Sequence, residues 1–447
     1  MSDPIAAHAS RREALAARLR AGSGPVGLAK DTSNLFRERT RDARRPLDVR
    51  EFRNVLRVDA DAGFVDAEAM VPYDALTDAC LAHGVMPAVV PQLKSITLGG
   101  ALAGVGIEAS SHRYGLVHET ILEFEMLCPD GRVLVCTPQN EHADLFFGFP
   151  NSYGTLGYAL RIKARAVPVQ PYVRLEHLPF HEARSFFSEM ERRCSEHEAD
   201  FIDGVMFAPD RMFLTLGRFR DAAPYTSDYT FEHIYYRSIA EKHEDWLTVR
   251  DFLWRWDTDW FWCSKNVLAQ NPLVRRLYGR ARLGSRTYSK IMRWNSRVGL
   301  TRLLDRVRGL HAESVIQDVD VPLAQAAEFL RFYARDIGIW PVWTCPVGPQ
   351  ANAPRYALYP MGDKWYVNFG FWDVLRTREV RPRGYFNRLI EEKVIALGGI
   401  KSLYSDSFFP EDEFRRLYGG EAYRALKAKY DPNGVFPDLY AKCVEQR

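Results

Sequence analysis

The chain has 447 residues, 47% of them hydrophobic and 26% charged, with a formal net charge of +3. This is the composition of a folded protein of two or three domains, and it excludes a disordered or fibrous chain. No apolar run approaches the ~20 residues of a membrane-spanning helix, the start lacks the apolar core of a secretory signal, and the seven scattered cysteines, with no Cys-x-x-Cys pair, read as reduced thiols.

In chain order, residues 1–22 carry an Ala/Arg-rich helical pattern without chemistry, either a packing helix or a loose arm. Residues 64–71 read as a strand, residues 72–83 place Leu76, Ala79 and Cys80 on one helical face, and Gly84 supplies the stop before an apolar run at 85–91. A glycine-rich segment follows at 98–106. Residues 120–127 and 132–137, separated by Pro129-Asp130-Gly131, predict two strands across a turn, and 161–167 alternates as another. Beyond Pro168, helical stretches (181–197, 324–337) mix with aromatic-rich strands (206–219, 355–358, 364–371). The predicted class is α+β, with one domain in residues 1–170, a second in 171–397 and a helical segment in 398–447.

Charge is unevenly placed. Residues 271–310 hold ten arginines and Lys290 against one acid, Asp305, a local excess of ten positive charges. Six of the ten tryptophans (Trp246, Trp254, Trp256, Trp260, Trp262 and Trp294) lie in or just before this stretch. Tryptophan favours the headgroup level of a bilayer and arginine is drawn to anionic lipid. Residues 245–310, through Trp254, Trp256, Trp260, Trp262, Arg275, Arg276, Arg280 and Arg282, are therefore expected to rest on a membrane and admit a lipid tail. The alternative is tryptophan in the core and arginine on a solvated face; nucleic acid is disfavoured, because no nucleic-acid-binding module accompanies the charge.

Glycines at 99, 100, 104 and 106 either let backbone N–H groups approach an anion such as a pyrophosphate or serve close packing. Ala109 stands where a dinucleotide fingerprint needs its third glycine, and no Gly-Lys-Ser/Thr follows Gly99, so neither a Rossmann site nor a P-loop is supported. Residues 107–116 gather carboxylate, hydroxyls, imidazole, guanidinium and phenol in ten positions, and Gly154-Thr155-Leu156-Gly157 repeats the glycine logic.

Taken together, Pro91-x-Leu93-x-x-Ile96-Thr97-Leu98-Gly99-Gly100, Gly106-Ile107-Glu108-x-Ser110-Ser111-His112-Arg113-Tyr114-Gly115-Leu116, Cys136-Thr137-Pro138 and Gly154-Thr155-Leu156-Gly157 resemble the FAD-binding domain of the p-cresol methylhydroxylase / vanillyl-alcohol oxidase (PCMH-type) superfamily. Within it they resemble the Δ24-sterol reductase group and its bacterial relatives that modify fatty acyl chains. Trp340-Pro341-Val342-Trp343-Thr344-Cys345-Pro346, Leu403-Tyr404-Ser405-Asp406, Glu413-Phe414 and Phe436-Pro437-x-x-Tyr440 extend the resemblance over nearly the whole chain. Leu28-Ala29-Lys30-x-Thr32-Ser33-Asn34-Leu35-Phe36-Arg37 is more similar to the bacterial members.

The resemblance implies a two-subdomain FAD-binding domain in 1–170, a mixed α/β substrate or cap domain in 171–397, and a C-terminal segment closing on the first. It implies contacts to FAD from Thr97, Gly99, Gly100, Gly104, Gly106, Ile107, Glu108, Ser110, Ser111, His112, Gly115, Leu116, Gly154, Thr155 and Gly157. The Arg-x-Gly-Gly-His loop that attaches FAD in many relatives has no counterpart in the first 100 residues, so noncovalent FAD is expected, with NAD(P)H a candidate donor. Tyr114, His112, Tyr366, Tyr404 and Asp406 are candidates for moving the proton, and Asn368 shares a strand face with Tyr366. The implied activity is hydride exchange at flavin N5 with a carbon–carbon bond of a lipid, preferably an unsaturated or methyl/methylene-branched fatty acyl chain of a phospholipid. A Δ24-sterol side chain is the alternative, disfavoured by the missing membrane-spanning start of the animal enzyme. A soluble hydroxy acid, alcohol or sugar, and a flavin- or lipid-binding protein without turnover, are further readings. The expected location is cytoplasmic, peripheral to the inner face of the membrane. A redox partner or a lipid methyltransferase of the same pathway is a candidate partner, and neither a metal nor a nucleic acid is expected.

Overall fold

In the computed structural model, residues 3–31, 36–37, 44–298, 305, 307–349 and 356–445 are described. Apolar–polar alternation makes Tyr158–Pro168 the spine of the first sheet, with Leu160, Ile162 and Ala164 buried. The antiparallel order is Val55–Asp59, Phe64–Glu68, Tyr158–Pro168, Ile121–Leu127, Val133–Cys136, and Val85–Pro87 pairs with the far end of the spine. The helix Pro4–Arg20, capped by Asp3, docks on this sheet by setting His8 and Arg11 2.8 and 2.7 Å from the buried Glu68. The start of the chain is thus a packing helix.

The glycine-rich segment is not simply a turn. Leu98–Ala103 is a short helix whose first turn is closed by Thr97, the hydroxyl accepting the Gly100 N–H at 3.2 Å. Close packing fixes two of its glycines: a Cβ on Gly99 would lie 2.7 Å from that of Ala69, and one on Gly106 2.7 Å from the Val117 side chain.

The second sheet has eight antiparallel strands in the order Glu244–Thr248, Tyr172–Phe180, Arg211–Arg220, Phe201–Ala208, Val342–Val347, Tyr366–Thr377, His311–Pro322, Ile400–Lys401. The stretch 206–219 is therefore a hairpin and not one strand. Residues 356–358 lie outside any strand, and Arg355 lies outside the described residues. Helices Ala183–Ser195, Ala326–Asp336 and Tyr385–Ala396 bury one face of the sheet through Phe186, Met190, Phe329, Ile390 and Val394. The strand Ile400–Lys401 completes this sheet, so the second unit runs past residue 397. The helices Glu411–Leu417, Gly420–Tyr430 and Leu439–Cys443 then return to the first unit, where Lys427 Nζ donates to the Thr155 carbonyl at 2.7 Å.

The tryptophan-rich stretch is interior, which corrects the expectation of a bilayer-facing aromatic belt. Trp254, Trp256, Trp260 and Trp262 are all buried. Trp256 meets the Tyr235 ring edge-on at 4.9 Å, and Trp262 lies 5.5 Å from Trp372. Their indoles supply the core between the sheets, a larger apolar gain than an interface position offers. Arg275 is buried as well, held by Asp259 at 2.6 and 2.9 Å. Arg276, Arg280 and Arg282 are exposed as expected.

Candidate active site

Strand alternation turns the face of the second sheet that carries no helices toward the first unit. In register across three strands it carries the rows Trp343, Gly370, Asp318 and Cys345, Asn368, Asp320. Apolar partners Val315, Val319 and Val321 point to the opposite, helix-covered face. Two carboxylates are thereby driven into the interior. Asp320 accepts from Asn368 Nδ2 at 3.0 Å and from the Tyr359 hydroxyl. Burial raises it to about 6 and raises Asp318 to about 7, the Asp320 charge adding to the latter. Burial, with Asp320 again contributing, raises Glu119 to about 7.

Asp318 interacts with Tyr404, whose hydroxyl accepts the Trp372 indole N–H at 2.8 Å. That donation occupies a lone pair of the phenol and leaves its own hydrogen for Asp318 or a bound molecule. Around the pair stand aromatic rings: Phe36 lies 5.8 Å from Tyr404 and 5.5 Å from Trp260, and Phe261 lies 4.2 Å from Trp372. An apolar wall meets this acid–phenol pair.

The loop 107–116 docks beside this face. Cys345 Sγ donates to the Glu108 carbonyl at 3.1 Å. Arg255 Nη2 bridges Glu108 (2.9 Å) and Asp203 (2.8 Å), and its guanidinium lies 4.0 Å above the Phe252 ring. Trp343 Nε1 donates to Asp203 at 3.2 Å. Burial raises Glu108 to about 7 in spite of Arg255. Arg255→Met removes the counter-ion of two buried carboxylates and is expected to cost about 3–5 kcal/mol in a denaturant titration. With Glu108 then held more firmly neutral in the fold and ionising normally when unfolded, the loss grows as pH rises through neutrality.

Most side chains of this loop hydrogen-bond within the protein. Ser110 Oγ donates to the Ala88 carbonyl (2.8 Å), Ser111 Oγ accepts the Glu108 N–H (3.1 Å), and the Glu108 carboxylate is held by Arg255. His112 is buried with Nδ1 2.9 Å from the Ala109 carbonyl and Nε2 3.2 Å from the Ala199 carbonyl, and burial lowers it to about 4. Its ring lies between the carbonyls of Ala109 and Ala199 and so links the two units. Tyr114 lies elsewhere, half-buried under the Arg165 guanidinium at 5.2 Å. Tyr366 is on the correct face, and its hydroxyl accepts the Gly362 N–H at 2.9 Å, which leaves its own hydrogen free as at Tyr404. Asp406 sits against Lys401, whose Nζ donates to the Asp406 carbonyl at 2.8 Å. Of the proton candidates, only Tyr404 joins the acid pair. Leu116 donates its N–H to Glu119, Ile107 is half-buried, and Gly115 has φ +73°.

The two glycine segments do meet. Tyr153 N–H donates to the Ala103 carbonyl (2.8 Å) and Asn151 N–H to that of Gly104 (3.3 Å), while Gly154 turns with φ +75° and Gly157 packs on Met126. Next to this corner is a cation cluster that sequence reading missed. Arg37 lies 4.9 Å over the Tyr153 ring and donates to the Lys442 carbonyl at 3.2 Å, and Lys442 Nζ donates to the Tyr153 carbonyl at 2.5 Å. Burial, then Arg37, Arg44 and Lys30, lowers Lys442 to about 7. Like charges held together beside a glycine corner, with the Ser152 hydroxyl buried without a partner among the described residues and able to donate, fit the pyrophosphate of FAD. Thr32 to Leu35 of the early motif lie outside the described residues.

Residues 23–137 match the family described as FAD binding domain. The chain is 26% identical to human (Homo sapiens) Delta(24)-sterol reductase over 409 residues, covering 87% of this chain and 76% of that protein. It is 25% identical to the Arabidopsis thaliana Delta(24)-sterol reductase over 439 residues (90% and 77%). It is 28% identical to Cytokinin dehydrogenase 7 of Oryza sativa subsp. japonica over 410 residues (85% and 74%). The chain is therefore an FAD-dependent oxidoreductase whose residues 23–137 match an FAD-binding domain of the PCMH type and which is similar over most of its length to the Δ24-sterol reductases.

Proposed function

We propose that this oxidoreductase acts on a carbon–carbon double bond of a lipid, an unsaturated or methylene-branched fatty acyl chain of a phospholipid. The observation that carries the reading is the aromatic wall of Phe36, Trp260, Phe261 and Trp372 closing on the acid–phenol pair Asp318–Tyr404. FAD, held noncovalently through Lys442, Arg37 and the corner at Gly104 and Gly154, supplies the two-electron chemistry, with NAD(P)H as the donor. The protein's part is to exclude water around an apolar chain and to move one proton. In the reductive direction Tyr404 gives its hydroxyl proton to the carbon left electron-rich, and Asp318, protonated below about pH 7, replaces it. In the oxidative direction the same pair accepts a proton.

A Δ24-sterol side chain makes the same demands, and the similarity to the Δ24-sterol reductases favours it as the second reading. Anaerobic mixing of the reduced, FAD-loaded protein with each lipid separates them. Recovery of oxidised flavin absorbance with monounsaturated or methylene-branched phospholipid, and a product heavier by two hydrogens, supports the acyl reading. Recovery with the Δ24-sterol alone selects the second. A flavin that neither lipid reoxidises rejects both, and turnover of soluble hydroxy acids instead places the chain with the oxidases.

A further inference from the structure

We infer that the protein docks on an anionic bilayer through an apolar knob formed by Leu268, Leu273, Leu277 and Trp294, and not through its buried tryptophans. Among the described residues the exposed large hydrophobic side chains number ten, and five fall within residues 268–307: Leu268 (68%), Leu273 (72%), Leu277 (81%), Trp294 (56%) and Val307 (78%). Such clustering is what a surface meant to be covered shows. Leu273 and Leu277 are one helical turn apart on Pro272–Tyr278, and Leu268 precedes that helix in a left-handed turn.

The next helix, Ser285–Val298, is anchored inward by Tyr288, whose hydroxyl donates to the Thr258 carbonyl at 2.9 Å and whose ring is 6.4 Å from that of Tyr278. Arg286, Lys290 and Trp294, four residues apart, share a face turned away from Tyr288. The same segment carries exposed cations: Arg276, Arg280, Arg282, Arg286 and Lys290. The acids facing them are Glu232, 3.8 Å from Arg276, Asp228, 2.8 Å from Arg280, and Asp74, 2.7 Å from Arg286. Exposed leucines in a segment that also exposes arginine and lysine complement a bilayer with anionic headgroups. A second copy of the chain fits less well, because a two-fold contact sets the same cations against one another.

The knob is also continuous with the candidate active site. The turn Cys263–Val267, which immediately precedes Leu268, is pinned by Lys265 to Asp373 at 2.6 Å, and Cys263 Sγ lies 3.8 Å from the Trp372 carbonyl. Docking here would set a bilayer on the segment that leads through Cys263 to Trp372. The inference deepens the lipid reading above, and its test needs no turnover.

The test is flotation of the FAD-loaded protein with vesicles of phosphatidylcholine, with and without phosphatidylglycerol. Co-flotation with the anionic vesicles is expected. L273S/L277S should lower the bound fraction at least about tenfold, and R282Q/K290Q about fivefold per cation at low salt. In parallel, bromine-labelled lipid should quench part of the tryptophan emission of the wild type but not that part in W294F, a measurement independent of how the leucine variant folds. Wild-type protein that stays below both vesicle types, or quenching unchanged in W294F together with wild-type flotation of L273S/L277S, overturns the proposal. So does a dimer that L273S/L277S breaks without any vesicle binding. A protein that floats yet turns over no lipid rejects the substrate reading alone, and one that turns over detergent-dispersed lipid without floating rejects the docking surface alone.

Discussion

Tyr404→Phe is expected to lower the turnover of an alkene-bearing lipid by roughly 10²- to 10⁴-fold, the range of a lost general acid, with FAD content unchanged. The phenol is the one proton candidate that the fold brings to the buried acids, and its oxygen is oriented by the Trp372 indole. Burial first, and Asp320 second, hold Asp318 at about 7 against the opposing bond from Tyr404. Below that pH the carboxyl carries a proton and can resupply the phenol; above it the carboxylate only accepts. Alkene reduction, which consumes a proton, should therefore fall as pH rises through about 7, whereas desaturation, which releases one, should rise. Asp318→Asn should remove this dependence in stopped-flow measurements of flavin reoxidation. A Tyr404→Phe enzyme of wild-type rate, or a pH profile that Asp318→Asn leaves in place, assigns the proton to another group.

How far the sequence anticipates this arrangement depends on whether a pattern is local. Alternation along residues 161–167 and the turn at Pro129-Asp130-Gly131 locate the spine of the first sheet and its neighbours. The meeting of Gly104 with Gly154 is foreshadowed only by the shared glycine chemistry, because the contact joins segments 50 residues apart. The strand His311–Pro322 shows the harder case. Its alternating Val315, Val319 and Val321 announce a buried face, but Asp318 and Asp320 mimic a solvated one. Only pairing with Asn368 and Gly370 reveals that both faces are covered. The tryptophans mislead for the same reason, since composition is identical for a core and an interfacial belt. The exposed leucines beside them carry no signal until Tyr288 fixes which side of the helices is inside. Arg255 reads as one more surface arginine; its role needs Glu108 and Asp203, 147 and 52 residues away.

The cation cluster yields the second large effect. Lys442→Met is expected to weaken FAD binding by roughly 10²- to 10³-fold, the cost of removing one partner of a buried charge pair, while the apoprotein melts no lower than the wild type. The two signs follow from one environment. Burial together with Arg37, Arg44 and Lys30 disfavours the charge on Lys442 and holds it at about 7, so without an anion the ammonium is a burden on the fold and with a pyrophosphate it becomes an asset. A residue that merely braced the Tyr153 carbonyl would lower the melting temperature of both forms. The same shift sets a pH dependence. Below about 7 the amine is already charged, whereas above it binding must draw a proton from solution, so affinity for FAD should fall as pH rises, with net proton uptake. Calorimetric titrations of the apoprotein with FAD in buffers of different ionisation enthalpy measure that uptake directly. Its loss in Lys442→Met, with weakened binding, assigns the pyrophosphate to this corner; unchanged uptake and affinity place it elsewhere along the seam.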